Sequence, residues 1–294
     1  ATFVSLVALW QAVTGQGRID VEGVGRVRAF YGSPNNLALM LERVIPLAAA
    51  LALFGADRLP RPPARSSALS WERSLAGLAC VIALAACAVA YSKGALLLGV
   101  PAGLAVVLVG GAWRSRQRWP LGLLAGLAAI GGVGLLLLTR TPRFADLTNL
   151  DAGTGFFRLK LWQSAWRMFV DHPWLGVGPD NFLYAYRSQY VLPDAWQELN
   201  LSHPHNIVLD LGTRLGVIGL LAGAWALIAG LQRSWRLVRF DDEAWPLALG
   251  LAAGLAATIA HGLIDNSLFL IDLMALFMLA LGIIRRQEAA AAGG

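Results

Sequence analysis

Ser202-His203-Pro204-His205-Asn206-Ile207-Val208-Leu209-Asp210-Leu211-Gly212-Thr213-Arg214-Leu215-Gly216-Val217-Ile218-Gly219 is the stretch whose reading decides the fold. Its polar head gives way to an apolar run that continues to residue 230, and about 20 apolar residues are enough for a helix to cross the hydrocarbon core of a bilayer. The stretch therefore reads as the outer end of a membrane helix, with Asn206 placed to cap the free amides of its first turn. Two charges interrupt the run. Asp210 and Arg214 are four residues apart, so on a helix they share a face and neutralise each other, which charges inside a span need.

The rest of the chain supports this reading. Of 294 residues, 57% are hydrophobic and 14% charged, where soluble domains carry about 25% charged residues. Apolar windows fall at 1–14, 36–54, 74–91, 94–112, 120–138, 206–230, 244–262 and 266–284, which predicts an all-α polytopic membrane helix bundle of about eight spans. Half of the 24 basic residues lie in short segments between windows or after the last one: Arg58, Arg61, Arg65 and Arg73; Arg114, Arg116 and Arg118; Arg233, Arg236 and Arg239; Arg285 and Arg286. The positive-inside rule puts those segments in the cytoplasm and explains the net charge of +6 without nucleic acid. Outside then lie residues 15–35, the turn Tyr91-Ser92-Lys93-Gly94, the long loop 139–205 and the turn at 262–266. The organisation expected is five N-terminal spans in 1–138, a large outer loop in 139–205, and three C-terminal spans with a tail in 206–294. Leu59 to Arg65 reads as a cytoplasmic linker, and the final Ala/Gly run as a tail. The first window is short and has no basic stretch before it or cleavage site after it, so it does not read as a signal peptide; further spans are expected upstream. Cys80 and Cys87 read as small core residues, with no disulfide framework.

The long loop has a pattern of its own. From Phe156 to Val170 the apolar residues Phe156, Phe157, Leu159, Leu161, Trp162, Ala165, Trp166 and Phe169 recur at helical spacing, predicting an amphipathic helix at the membrane surface. Asp171-His172-Pro173 ends it, and Gly176-Val177-Gly178-Pro179-Asp180-Asn181 makes a turn into a second short helix bearing Phe182, Tyr184, Tyr186 and Tyr190.

Several residues are candidates for chemistry. Arg28, Lys93 and Arg158 place positive charge on the outer side, against the topological bias; they either snorkel to headgroups or hold an anionic ligand such as a lipid diphosphate. His203 and His205 flank Pro204 at a helix start, where an imidazole can accept a proton from an attacking hydroxyl. His172 reads as a turn residue, and His261 as a packing or hydrogen-bonding residue near the end of a span. Glu42 and Arg43 are adjacent and cannot face the same way, so each needs a partner on another helix. Asp272 is expected inside the last span. No span or loop shows an acidic cluster with metal-ligand spacing.

At these residues the chain resembles the O-antigen ligase and polymerase superfamily of bacterial membrane glycosyltransferases. The ligase branch carries His, then Asn, Ser or Gln, nine residues, Gly, two residues, and Gly, Thr or Tyr. Here His205-Asn206 is followed by Ile207 to Leu215, Gly216 and Gly219. Arg28 to Asn36 is similar to the family's Arg…Gly…Pro-Asn segment, Arg158 to Trp162 to its Arg…Trp segment, and Pro173 to Phe182 to its Pro-x-x-Gly-x-Gly…Phe turn. Ser92-Lys93-Gly94 stands where the family usually has Ser-Arg-Gly, keeping the charge but not the bidentate fork.

The resemblance implies a donor glycan on undecaprenyl diphosphate and a glycan or glycolipid acceptor. Arg28 and Arg158, helped by Lys93, would grip the diphosphate, and His205 would activate the acceptor hydroxyl, with inversion and without a metal or other cofactor. Asn206, Asp210 and Arg214 would complete the substrate site, and Asp210 would orient His205. The setting implied is the inner membrane, facing the periplasm. The competing reading is a transporter or flippase of lipid-linked saccharides. It would use Glu42, Arg43, Asp210, Arg214 and Asp272 as a midplane pathway, and predicts helices broken near the bilayer centre.

Overall fold

A computed structural model describes residues 1–21, 23–55, 71–140, 153–241, 243–265 and 268–293. The expected linker Leu59 to Arg65, with Arg58, and part of the 262–266 turn lie outside the described residues. Among the described residues the α-helices follow in order: α1 (Thr2–Thr14), α2 (Pro34–Phe54), α3 (Trp71–Ala90), α4 (Val100–Ser115), α5 (Trp119–Leu138), α6 (Gly153–Asp171), α7 (Phe182–Ala185), α8 (Ile207–Phe240), α9 (Trp245–Gly262) and α10 (Ile271–Gly293). Among the described residues six helical segments are long and apolar enough to cross a bilayer: α2, α3, residues 95–115, α5, α8 and α9. The protein is a multi-pass membrane protein with an all-α core.

Eight windows were expected to span; the six cover all but the first and the last, which the described residues show as α1 and α10. Helix α1 has 13 residues, about 20 Å at 1.5 Å per residue. Helix α10 begins at Ile271 rather than 266, and its apolar part is flanked by Asp272 and by Arg285, Arg286 and Glu288. Asp272 is thus not midway along a span but in a first helical turn, where the helix dipole favours a carboxylate.

One feature outside the helical expectation is a short hairpin in the 15–35 segment. Strands β1 (Ile19–Val21) and β2 (Val24–Arg26) pair antiparallel with Val21 opposite Val24. Gly23 sits at φ 72 in the two-residue loop, the left-handed conformation such tight turns need.

The chain divides into two compact units. The first comprises Ala1–Ala125, Gly230–His261 and Ile271–Gly294 and is built around α2. Ser33 caps this helix by accepting from the Asn36 amide, and Pro34 opens it. Leu37, Leu39, Leu41 and Ile45 are all fully buried, the mark of a helix covered on every side. Two glycine ladders make close cover possible. On α4 and the turn before it, a Cβ at Gly99 would strike Glu42 and one at Gly103 would strike Pro46; on α9, a Cβ at Gly250 would strike the Leu47 backbone and one at Gly254 the Arg43 carbonyl. Small residues four apart let helix backbones meet where lipid offers no hydrophobic drive. Between the Lys93 turn and α4 the chain widens into a π-turn over Ala95–Gly99, next to Pro101, which has no N–H for a regular helical bond.

The second unit comprises Gly126–Ala229 and Gly262–Leu270. The expected amphipathic helix is α6. Its buried stripe is Leu161, Ala165 and Met168, packed on Phe182, Tyr186 and Tyr190 from α7 and the π-turn after it (Tyr186–Tyr190). Trp166, Val170, Trp174 and Leu175 stay exposed, an apolar and aromatic surface suited to the headgroup level. Tyr190 donates to Asp171 at the end of α6 (2.9 Å); burial, then that carboxylate, pushes its phenol above the usual range.

Helix α8 is broken at Gly216, at φ 66 and ψ −165. The break frees carbonyls, and the glycine turn of the loop takes them: Val177 N–H donates to Thr213 (2.8 Å), Gly178 N–H to Arg214 (3.0 Å), and Val217 N–H donates to Pro173 (2.7 Å). A Cβ at Gly216 would lie 2.2 Å from the Trp174 carbonyl, and one at Gly176 would lie 2.5 Å from that of Thr213. The loop motif and the helix motif are two halves of one backbone junction, which meets the requirement that buried peptide groups be paired.

Candidate active site

In the second unit, the His205 junction is fixed from three directions. Asn206 caps α8, its Oδ1 accepting from the amides of Val208 (3.0 Å) and Leu209 (3.1 Å), while its Nδ2 donates to the Leu263 carbonyl (2.9 Å). The capping expectation holds, and both ends of the amide expected to bind substrate are engaged. Trp162 of α6 donates its indole N–H to the Pro204 carbonyl (2.9 Å). His205 itself sits at φ 50, a left-handed conformation uncommon outside glycine and found where surrounding contacts hold it.

The partner of the imidazole is Asp265, which approaches His205 Nδ1 with Oδ1 at 2.8 Å. Asp265 is only 4% exposed. An ionised carboxylate only accepts, so Nδ1 carries the ring hydrogen and Nε2 presents a lone pair. Asp210, expected to orient His205, instead receives the Arg214 Nε–H at 2.6 Å, as the four-residue spacing predicts. Arg214 also donates to the carbonyls of Ser202 (2.7 Å) and Pro179 and lies over the Phe269 ring, 4.8 Å from its centre. Asp210 and Arg214 are 2% and 6% exposed, and these contacts hold the loop against α8.

Arg158 is half-buried on α6, one turn before Trp162 and therefore on the same helix face. The structure thus brings the Arg158 face to the backbone beside His205. Lys160, on the same helix, pairs with Asp194 at 2.6 Å and, first by hydrogen bond and then by charge, holds that carboxyl below its usual range; with Asp194 at the surface, the pair contributes little. His203 lies beside His205, ring centres 4.2 Å apart, with Nε2 3.7 Å from Asp265 Oδ1. His203, His205 and Asp265 place three potential metal-ligating atoms within 4.8 Å of one another. The sequence showed neither this cluster nor Asp265 as His205's partner, because the acid arrives from 60 residues away.

In the first unit, the two other candidate cations sit on braced segments. Gln11 of α1 pins the Arg28 corner: its Oε1 accepts from the amides of Arg28 (3.2 Å) and Ala29 (2.8 Å). Arg28 keeps a partly exposed guanidinium, whose Nη1 reaches the Gly32 carbonyl at 3.5 Å. Arg26, two residues earlier, is buried and structural, donating to the Ala90 carbonyl (2.9 Å) and Asn35 (2.7 Å). Ala90 ends α3 just before the Lys93 turn, so Arg26 ties the Arg28 segment to that turn. Behind Lys93, a Cβ at Gly94 would strike the His261 ring. His261 Nδ1 in turn meets Glu42 Oε2 at 2.6 Å, and Arg43 donates to the Leu273 carbonyl at 2.9 Å. The partners required for Glu42, Arg43 and His261 are thus on other helices.

Residues 78–224, half of the chain, match a family model described as O-antigen ligase. Over 116 residues the chain is 33% identical to a protein of Pseudomonas aeruginosa (strain PAO1) named O-antigen ligase; the match covers 39% of this chain and 25% of that relative. The family match takes in Lys93, Arg158, His205, Gly216 and Gly219, while Arg28 and Asp265 lie beyond its ends.

Proposed function

Because the chain belongs to the O-antigen ligase family, we propose that it carries the transfer site of a membrane glycosyltransferase, moving a glycan from undecaprenyl diphosphate to an acceptor hydroxyl. The observation that carries this reading is the Asp265–His205 pair at 2.8 Å, which leaves Nε2 as a proton acceptor on a partly exposed side chain. In the reaction, Nε2 takes the hydrogen of the acceptor hydroxyl as its oxygen attacks the anomeric carbon. The bond from that carbon to the diphosphate oxygen breaks, its electrons leave with the diphosphate, and the configuration inverts. Asp265 stabilises the imidazolium that forms. Arg158, Arg28 and Lys93 stabilise charge growing on the leaving group. Asp210 and Arg214 serve by position, fixing Ser202 and Pro179. The acceptor is a glycan or glycolipid, and the site faces the periplasmic side of the inner membrane.

Transport of lipid-linked saccharide is the poorer reading. The break in α8 is closed by the loop's own backbone rather than left lining a pathway, and Arg214 is committed to protein carbonyls.

The test uses the full-length protein with a lipid-diphosphate-linked oligosaccharide and candidate acceptors. His205→Ala is expected to lower transfer by about 10²–10⁴-fold, the usual contribution of a positioned base, and Arg158→Ala by about 10²-fold or more. Undiminished transfer by folded His205→Ala protein would refute the assignment. Chelation of divalent ions is expected not to lower the rate.

A further inference from the structure

We propose that His203, His205 and Asp265 form a binding site for a divalent transition metal of the zinc type, and that its occupancy turns the histidine base off. The inference rests on the reading of His205 as the base. Two imidazoles and a carboxylate are a donor set suited to Zn²⁺, and less to Mg²⁺ or Ca²⁺, which prefer oxygen alone. Tetrahedral zinc, bonded at about 2.0–2.1 Å, sets neighbouring donors about 3.3 Å apart. The separations to Asp265 Oδ1 bracket that value, at 2.8 Å from His205 Nδ1 and 3.7 Å from His203 Nε2. Asp265 supplies a nearly buried negative charge, and the histidine side chains keep 21% and 22% exposure, which gives an ion a way in.

The consequence follows from where the single ring hydrogen sits. With Asp265 accepting, the hydrogen is on Nδ1 and Nε2 can take a proton. A metal needs the Nδ1 lone pair, so the ring must adopt its other tautomer, with the hydrogen moved to Nε2 and no net gain or loss of protons. Nε2 then donates and cannot accept. The metal-bound and base-competent states therefore exclude each other. His203 contributes a ligand to the first and no atom to the second.

The experiment titrates Zn²⁺ into the full-length protein in nanodiscs, reading binding by calorimetry and ligation by X-ray absorption, and separately measures glycan transfer. One zinc per chain is expected, with nitrogen and oxygen ligands only, and loss of transfer that tracks occupancy and is restored by chelation. His203→Ala is expected to bind zinc about 10–100-fold more weakly, to need correspondingly more zinc for inhibition, and to transfer glycan at the parent rate in chelator. Absence of saturable binding, affinity unchanged by His203→Ala, or transfer stimulated by zinc would each overturn the proposal. Zinc bound through these ligands with transfer unimpaired would overturn the switch. Parent-level transfer by zinc-free His205→Ala protein would refute the base reading instead, so the two failures are distinguishable.

Discussion

At the scale of single residues, Asp265→Asn is the most informative substitution. It preserves shape but offers His205 an amide N–H in place of a carboxylate lone pair, so on the mechanism proposed above the ring hydrogen is driven to Nε2 and the base is lost with its geometry intact. The expected result is a fall in kcat of about 10²–10⁴-fold with little change in the acceptor KM, measured by steady-state transfer kinetics. A comparable rise in acceptor KM with kcat unchanged would make Asp265 a binding residue instead. Two parts of this site were legible in the sequence. The nine residues between Asn206 and Gly216 carried the resemblance that pointed to His205, and Asn206 before an apolar run reads as a helix cap. Asp265 was not legible. It lies in a short turn between α9 and α10 with no local pattern around it, and only tertiary structure makes it His205's neighbour. Reasoning by proximity in sequence favoured Asp210, which the four-residue spacing already commits to Arg214.

At the scale of elements, the junction between the glycine turn and α8 is the feature most sensitive to change. Gly216→Ala combines a left-handed backbone with a Cβ placed 2.2 Å from the Trp174 carbonyl, for an expected loss of at least about 1–3 kcal/mol, read as a lower unfolding temperature in detergent. Gly126→Ala on α5 is the control: its Cβ meets nothing within 4 Å among the described residues, so an effect from neutral to about 1 kcal/mol stabilising is expected from helix propensity. If both variants unfold alike, the junction has no special standing. Periodicity located α6 and the turn that ends it, yet it weighted Leu159 and Trp166, which are exposed, and passed over Met168, which is buried. Apolar spacing cannot separate the stripe facing a protein core from the one facing lipid when both neighbours are apolar. The glycine patterns were equally visible, but nothing in them says that a turn and a helix forty residues apart complete each other's hydrogen bonds.

At the scale of the whole molecule, α2 anchors its unit through a buried ionisable pair, Glu42 and His261 at 2.6 Å. Removing one partner breaks a buried pair inside a helix bundle, and Glu42→Ala is expected to cost about 3–5 kcal/mol; the double variant with His261→Phe should recover part of it. Additive losses would show that the two residues are not coupled. Topology is tested by single cysteines, with the buried Cys80 and Cys87 as a quiet background: Ser202→Cys should react with an impermeant maleimide applied outside, and Gln117→Cys only after permeabilisation. Hydropathy located the six long spans to within a few residues, apart from the C-terminal end of α8, because a bilayer demands unbroken apolar length. The last window began at 266, whereas α10 starts at Ile271 and carries Asp272 in its first turn. The break at Gly216 also bears on exchange between relatives. The 173–178 turn supplies the hydrogen bonds that residues 213–217 cannot make for themselves. A loop grafted from another family member therefore has to bring its own matching helix segment. The large loop is a poor cartridge for engineering acceptor choice unless the cut is made beyond residue 219.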